Sequence, residues 1–314
     1  MFLSCGDALF DVFAEPGEDV SRLSLNAVVG GSPLNVALGL SRLGHRTGFF
    51  TKVSTDLFGQ RIRAFMEREG IDQRFLVPTD RNTTLAIVSL SKSGSAAYSF
   101  YIDGTADRSV EPGDVPDDLE AIEAIHVASY STVTEPTASA LVRLIDREKD
   151  RRFISYDPNI RASIEPDLDL WRAKVAEMVP RAALVKASDE DLEQLYPGRS
   201  PETVAGDWVA AGAALAVVTL GPNGAIGLSA SGAAVSVPGR TVAVVDTVGA
   251  GDTFQAATLA RLKETHSLSR KALNAFTSAE LTDVLDFAIK AAAVTCSRRG
   301  ADLPRRADLG LAPL

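Results

Sequence analysis

Apolar residues in this chain fall into two spacings. Short unbroken or alternating apolar runs mark strands, and apolar residues recurring every three or four positions mark helices with one buried face. Phe2–Gly6 is a short buried strand. Residues 12–31 are too short and mixed for a full strand-helix-strand unit and are assigned to strands outside the main sheet. Ser32 and Pro33 then cap and open a helix that runs through Val36, Ala37, Leu40 and Leu43 to a stop at Gly44. Thr47–Val53 is a strand, followed by a helix capped by Asp56 with Phe58, Ile62, Phe65 and Met66 on one face. Thr83–Leu90 and Ala96–Tyr101 are β-rich runs joined by the loop-like Ser91–Ser95.

From about residue 120 the rhythm becomes regular. Strands at Ala124–Ser129, Phe153–Asp157, Ala183–Ala187 and Leu215–Leu220 alternate with helices at Pro136–Lys149, Leu170–Val179 and Ser200 to about Gly212. Strands follow at Ala225–Ser229, Ala234–Val237 and Val242–Val245, and a last helix at Leu281–Arg298 puts Leu285, Ala288, Ile289, Ala292 and Cys296 on one face. Such alternation with short connections predicts an α/β protein: a central, mostly parallel sheet flanked by helices on both faces. One domain spans 1–314, and the excursions at 12–31 and 82–108 stand apart from its main sheet.

Composition narrows the function. With 46% hydrophobic and only 6% aromatic residues, the packing is mostly Ala, Val and Leu. A net charge of −9 argues against nucleic acid and anionic membrane as partners. Cys5 and Cys296 show no metal-ligand or redox spacing and are expected as reduced core thiols of a cytoplasmic protein. The N-terminus has no secretory pattern, and no run of eighteen apolar residues occurs.

The stretch Asp246–Phe254 carries the chemistry. Gly249, Ala250 and Gly251 would let the N–H groups opening a helix approach a phosphate closely. Asp252 at the same place would repel that phosphate unless its task is to take a proton from the attacking group, so it is read as a base. Arg161, just past a strand end in Asp157–Arg161, is a candidate for the transferring phosphoryl group or a sugar oxygen, the alternative being a surface arginine paired with Asp157. Asp7 and Asp11 follow the first strand, where open α/β sheets bind ligands. Lys186 is a candidate phosphate partner, although a lysine at a strand end is exposed by default. His126, inside an apolar strand, reads as a packed core histidine.

D-T-V-G-A-G-D at 246–252 resembles the C-terminal signature of the ribokinase-like (PfkB) carbohydrate kinases, and Gly30-Gly31-Ser32-Pro33-Leu34-Asn35 resembles their N-terminal glycine pair followed by asparagine. The resemblance runs from Gly6 to Gly300 and implies the ribokinase-like fold, ATP and Mg2+ as cofactors, and a small sugar as acceptor. It assigns the excursions at 12–31 and 82–108 to a small β-sheet lid. Asp11, Gly30, Gly31 and Asn35 then meet the sugar. Gly104–Arg108 and Asp157–Arg161 resemble segments of bacterial fructokinases, which adds Arg108 as a sugar contact and favours Arg161 at the active site. Thr219, Gly221 and Gly224 resemble the turn under the nucleotide, beside Lys186. Ser188 and Asp191 stand where many members carry the asparagine and glutamate that organise magnesium, so Asp191 would act through water. Asp246, with Val248 and the Gly300 loop, lies where related enzymes hold K+. A homodimer through the lid is common among relatives.

The implied activity is that of a fructokinase. The alternatives are a 2-keto-3-deoxygluconate kinase, or a catalytically silent sugar-binding regulator of the same fold. A dinucleotide-binding G-x-G-x-x-G after the first strand, a Walker P-loop and protein-kinase signatures are all missing from the sequence.

Overall fold

The computed structural model describes residues 1–14, 21–90 and 96–314. The chain enters through β1 (Phe2–Cys5), leaves for β2 (Leu9–Ala14) and β3 (Leu25–Gly30), and returns by α1 (Ser32–Arg42) to β4 (Thr47–Ser54). Helix α2 (Leu57–Arg68) and β5 (Leu76–Thr79) follow, then β6 (Leu85–Leu90) and β7 (Ala96–Tyr101). The regular half comprises β8 (Ala124–Ala128), α3 (Thr137–Glu148), β9 (Phe153–Asp157), α4 (Leu168–Met178), β10 (Leu184–Ser188), α5 (Asp189–Leu195), α6 (Pro201–Ala210) and β11 (Leu215–Thr219). It closes with β12 (Ala225–Ser229), β13 (Ala234–Val237), α7 (Ala250–Glu264), the short α8 (Arg270–Leu273) and α9 (Ser278–Cys296).

Among the described residues the main sheet has the order β13-β12-β11-β10-β9-β8-β1-β4-β5, and β3-β2-β6-β7 form a separate small sheet. Strands β5 through β11 of the main sheet run parallel, and β12 and β13 are antiparallel additions at one edge. The predicted mostly parallel sheet and second β-layer are therefore both present. The small sheet begins at Leu9 rather than at residue 12, and its strands end at Tyr101, so residues 102–108 leave it as a turn. The predicted loop Ser91–Ser95 lies outside the described residues.

Alternation inside the buried strands explains how both faces are filled. Phe2, Ala124, Phe153, Leu184 and Leu215 face the core beneath α7 and α9, whereas Leu3, Ile125, Ile154, Val185 and Ala216 face the opposite core with Trp171, Val175 and Trp208. Ser4, His126, Ser155, Asp157 and Lys186 stand two or four residues along the first of these sets. The α7 face of the sheet thus turns polar toward the C-terminal strand ends.

Three expectations need correction. Val242–Val245 forms no strand: Val244 and Val245 are 64% and 61% exposed, and the Val245 N–H donates to the Cys296 carbonyl instead of a ladder partner. β-Branched composition favours a strand only where an edge is available to pair with it. Ser32 is not the cap of α1; Gly31 holds that position with φ of 116°, and the Ser32 hydroxyl points elsewhere. Cys296 is half-buried rather than a core thiol, because it ends α9. His126 is buried as expected, and desolvation and nearby Lys186 lower its pKa to about 3. No helix among the described residues is long and apolar enough to cross a membrane.

Candidate functional site

Two helix N-termini meet over the polar strand ends. Ser32, Asn35 and Gly39 share one stripe of α1, and Asp252 and Ala256 share the facing stripe of α7, because residues three and four apart lie on one helix face. A Cβ on Gly39 would come within 2.6 Å of the Ala256 Cβ and 2.8 Å of Leu303, so the bare glycine lets the helices approach. That closeness brings polar groups together at the mouth. Ser32 Oγ donates to Asp252 Oδ1 at 2.7 Å, and Asn35 Nδ2 donates to Oδ2 at 2.9 Å. Asp252 is 8% exposed, at the rim rather than in the core.

Gly249 caps α7 with φ of 75°, a left-handed turn that suits glycine. Among the described residues the N–H groups of Gly249, Gly251 and Asp252 donate to no protein acceptor, so three donors are left at the positive end of the helix. Ala250 differs from its expected role: its N–H closes the turn onto the Thr247 carbonyl at 3.2 Å. A Cβ on Gly251 would stand 3.3 Å from Lys186 Nζ, which places an ammonium beside these amides.

Lys186 is 4% exposed, contrary to the default for a strand end. Asp157, its ladder neighbour on β9, accepts from Nζ at 2.7 Å. Burial opposes the charge on Lys186, but Asp157, joined by Asp191 and Asp252, outweighs it and raises the pKa of the amine. Burial pushes Asp157 itself up to about 6 while Lys186 pulls it down. This pair replaces the alternative in which Asp157 would take Arg161. Arg161 is exposed, donates to the Ile160 carbonyl at 2.9 Å, and has no ion-pair partner among the described residues. Its charge nevertheless offsets part of the rise that burial imposes on the pKa of both Asp7 and Asp11.

Asp11 projects from β2 into the space left by Gly30 on β3, where an added Cβ would press on its carboxylate. Burial, with a contribution from Asp252, raises its pKa to about 6, and no described residue donates to it. Gly31, at φ of 116°, passes so close to the Asp7 carbonyl that no side chain fits. Asp7 is deeper: Oδ2 accepts from the Ser32 N–H at 3.2 Å, Oδ1 has no partner, and burial followed by the charge of Asp107 raises its pKa to about 8. Asp107 is buried beneath hydroxyls from Thr84, Thr105 and Tyr130.

Other predicted residues lie around this centre. Arg108 donates to the Ile102 carbonyl at 3.3 Å and stands 3.6 Å from Asp103, with a buried, unpartnered Nε. Ser188 caps α5, and Asp191 closes that cap while accepting from the Ile160 N–H at 2.8 Å, so both Asp191 oxygens hold protein donors. Thr219 is half-buried at the end of β11, and Gly221 and Gly224 have φ of 53° and 101° in the turn that follows. Asp246 accepts from the N–H groups of Val248 and Gly300 at 3.0 and 2.8 Å. No group of three His, Cys, Asp or Glu suited to a metal ion occurs among the described residues. Two cavities of about 340 and 270 Å³ are lined by none of these residues.

Sequence reasoning passed over Ser32 and Asn159 as site residues. Asn159 Nδ2 donates to Ser32 Oγ at 2.6 Å, so the two stand in line with Asp252. Both lie inside motifs that were read for their neighbours.

The profile described as "pfkB family carbohydrate kinase" matches residues 3–308. A fructokinase of Rhizobium leguminosarum bv. trifolii is 36% identical over 271 residues, covering 86% of this chain and 82% of its own. The crystal structure of a Xylella fastidiosa fructokinase with bound ATP superposes with a TM-score of 0.87 at 25% identity, covering 98% of this chain and 96% of that one. A Vibrio cholerae O395 fructokinase bound to fructose, ADP and a calcium ion superposes with a TM-score of 0.83 at 29% identity, covering 98% and 97%.

Proposed function

The chain belongs to the pfkB family of carbohydrate kinases, and on that premise we propose that it transfers the γ-phosphate of ATP to a hydroxyl of fructose with Asp252 as base. One observation carries the proposal. The Asp252 carboxylate is fixed on both oxygens at the mouth of α7, next to an ammonium and among three amides that have no acceptor among the described residues.

Phosphoryl transfer asks the protein to hold donor and acceptor in line and to neutralise the equatorial oxygens. The amides of Gly249, Gly251 and Asp252 and the Lys186 ammonium supply that neutralisation. Arg161, exposed and without an ion pair among the described residues, adds a further positive charge. Asp11, with no protein donor among the described residues, accepts from sugar hydroxyls in the room left by Gly30, and the Asn35 amide oxygen accepts from another. Asp252 receives the hydroxyl proton late, because the transition state is loose. Arg108 guards the same end from the turn after β7, and the small sheet closes over it as a lid. Thr219, Gly221 and Gly224 lie under the nucleotide.

The residues present fit a triphosphate, since a Cβ at Gly251 would crowd the ammonium beside the free amides. Among the described residues no carboxylate cage for a metal stands there. Magnesium, which gives up its water reluctantly, would be held by nucleotide phosphates and water, with Asp191 in its outer shell. Potassium would take backbone oxygens of the loop that Asp246 pins to Gly300. Exposed Leu25 and Tyr101, which share one face of the small sheet, suit a homodimer through the lid.

A 2-keto-3-deoxygluconate kinase is the second reading, favoured by the free Arg161, which could receive a substrate carboxylate. ADP release measured with fructose, 2-keto-3-deoxygluconate and ribose separates the two. Asp252→Asn should keep nucleotide binding and lose turnover by about 10²–10⁴, the range for general-base catalysis. Full turnover in that variant would refute the assignment, and no ADP release from any sugar with the unaltered chain would leave the silent regulator.

A further inference from the structure

We infer that Ser32 and Asn159 are positioning residues for Asp252, forming a one-directional hydrogen-bonded chain that keeps the carboxylate aimed. The inference rests on reading Asp252 as the base.

A serine hydroxyl has one hydrogen and two lone pairs. Asn159 Nδ2, a donor, is 2.6 Å from Ser32 Oγ, so a lone pair of that oxygen is occupied and its hydrogen is free to go to Asp252 Oδ1 at 2.7 Å. Donation into the hydroxyl polarises it and strengthens what it donates onward. The backbone of Ser32 is held as well, by its N–H on Asp7 Oδ2. With Asn35 on the other oxygen, both edges of the carboxylate are fixed and its remaining lone pairs face outward.

Asn159 has φ of 41°, a left-handed conformation that residues with a side chain adopt seldom. The loop holds it there: Asp157 Oδ1 accepts from the Asn159 N–H at 3.1 Å, and Asp191 Oδ1 accepts from the next N–H. Asparagine enters this region more readily than other residues with a side chain, and the bonds around it fix the direction of its amide. The side chain so directed meets Ser32. Ser32 is 7% exposed, which leaves water little room to take over its bond.

Asp7 after β1, Asp11 on β2, Asp157 on β9 and Lys186 on β10 act on Asp252 through their charge. All remain when neutral Ser32 is altered. A change in pH dependence therefore reports the hydrogen bond and not a lost charge.

The test compares Ser32→Ala, Asn159→Ala, the double variant, Ser32→Thr and Asp252→Asn by kcat, KM for sugar and ATP, the pH profile of kcat, and thermal unfolding. Ser32→Ala should lower kcat about tenfold at neutral pH, the low end for losing a hydrogen bond to a charged group. Its acid limb should move up by roughly one pH unit, because a carboxylate with fewer donors takes up a proton more readily. KM for ATP should hold. Asn159→Ala should move both readouts the same way by less, the double variant should be no worse than Ser32→Ala, and Ser32→Thr should recover the limb. A folded Ser32→Ala with the original acid limb, or strictly additive effects in the double variant, overturns the inference; a lowered unfolding temperature alone would mark a structural role and overturn it too. If Asp252→Asn is inactive while Ser32→Ala is unaffected, only this inference fails. If Asp252→Asn retains turnover, the assignment of the base fails with it.

Discussion

Substituting Gly30 by alanine tests whether the carboxylate of Asp11 must lie where it does. The added methyl would sit closer than 3.0 Å to Asp11 Oδ2 and 3.2 Å from its Cγ. Relaxed contacts are about 3.5–4.0 Å, so the carboxylate must withdraw by roughly an ångström. Gly30 itself does not use a left-handed backbone, and its partner in the ladder is Leu9, so the strand tolerates alanine. The obstructed group is the end of a short side chain, which can turn without moving the sheet. Folding should therefore be nearly unaffected, within about 1 kcal/mol. Sugar binding should not be. One hydrogen bond to a charged group contributes about 1.5–3 kcal/mol, which predicts a loss of roughly 10- to 150-fold in kcat/KM for the sugar. KM for ATP should stay within about twofold, since the nucleotide side is untouched. Steady-state ADP release at varied sugar and varied ATP, with thermal unfolding as a control, gives all three quantities. A folded Gly30→Ala enzyme with unchanged kcat/KM for sugar would show that Asp11 does not hold the substrate.

Two further outcomes can be checked without turnover. Lys186→Met leaves Asp157 buried with its charge unpaired, so stability should drop by about 3–5 kcal/mol, and adding Asp157→Asn should restore much of it; an unchanged unfolding temperature in the single variant would contradict the buried pair. Asp7, raised to about 8 by burial, adds no penalty below the ordinary carboxylate value near 3.8. Its cost grows as pH climbs through that window and is constant above it, so Asp7→Asn should be more stable than the original chain at pH 8–9 and lose that advantage near pH 4. Parallel unfolding curves across the range would refute the shift.

The layered architecture was legible because strands of four to eight residues alternate with amphipathic helices over most of the chain. What escaped did so for local reasons. Strand β5 is half-exposed at an edge and contains Pro78, so it carries neither alternation nor an apolar run. Helix α5 has seven residues, three of them acids in its first turn, and reads as a polar loop. Val242–Val245 shows the converse, β-branched residues with no strand to join. At the site, the place of Asp252 in the first turn of a helix was legible because Gly249, Ala250 and Gly251 mark where that helix opens. Ser32 was misread because a hydroxyl before a helix serves its own backbone or another helix equally well, and no spacing rule distinguishes the two. Lys186 looked exposed for a related reason: its partner arrives from a different strand, and only the register of β9 against β10 brings them together.

Gly39 has no polar atom and stands two turns away from the chemistry, yet it sets how far apart the two helices lie. Any bulk added there acts as a wedge between α1 and α7, widening the gap that Ser32 and Asn35 must bridge to reach Asp252. The crossing thus works as a tuning screw: reactivity at the mouth can be turned down, while every group that performs it remains in the chain, by a change in side-chain volume alone.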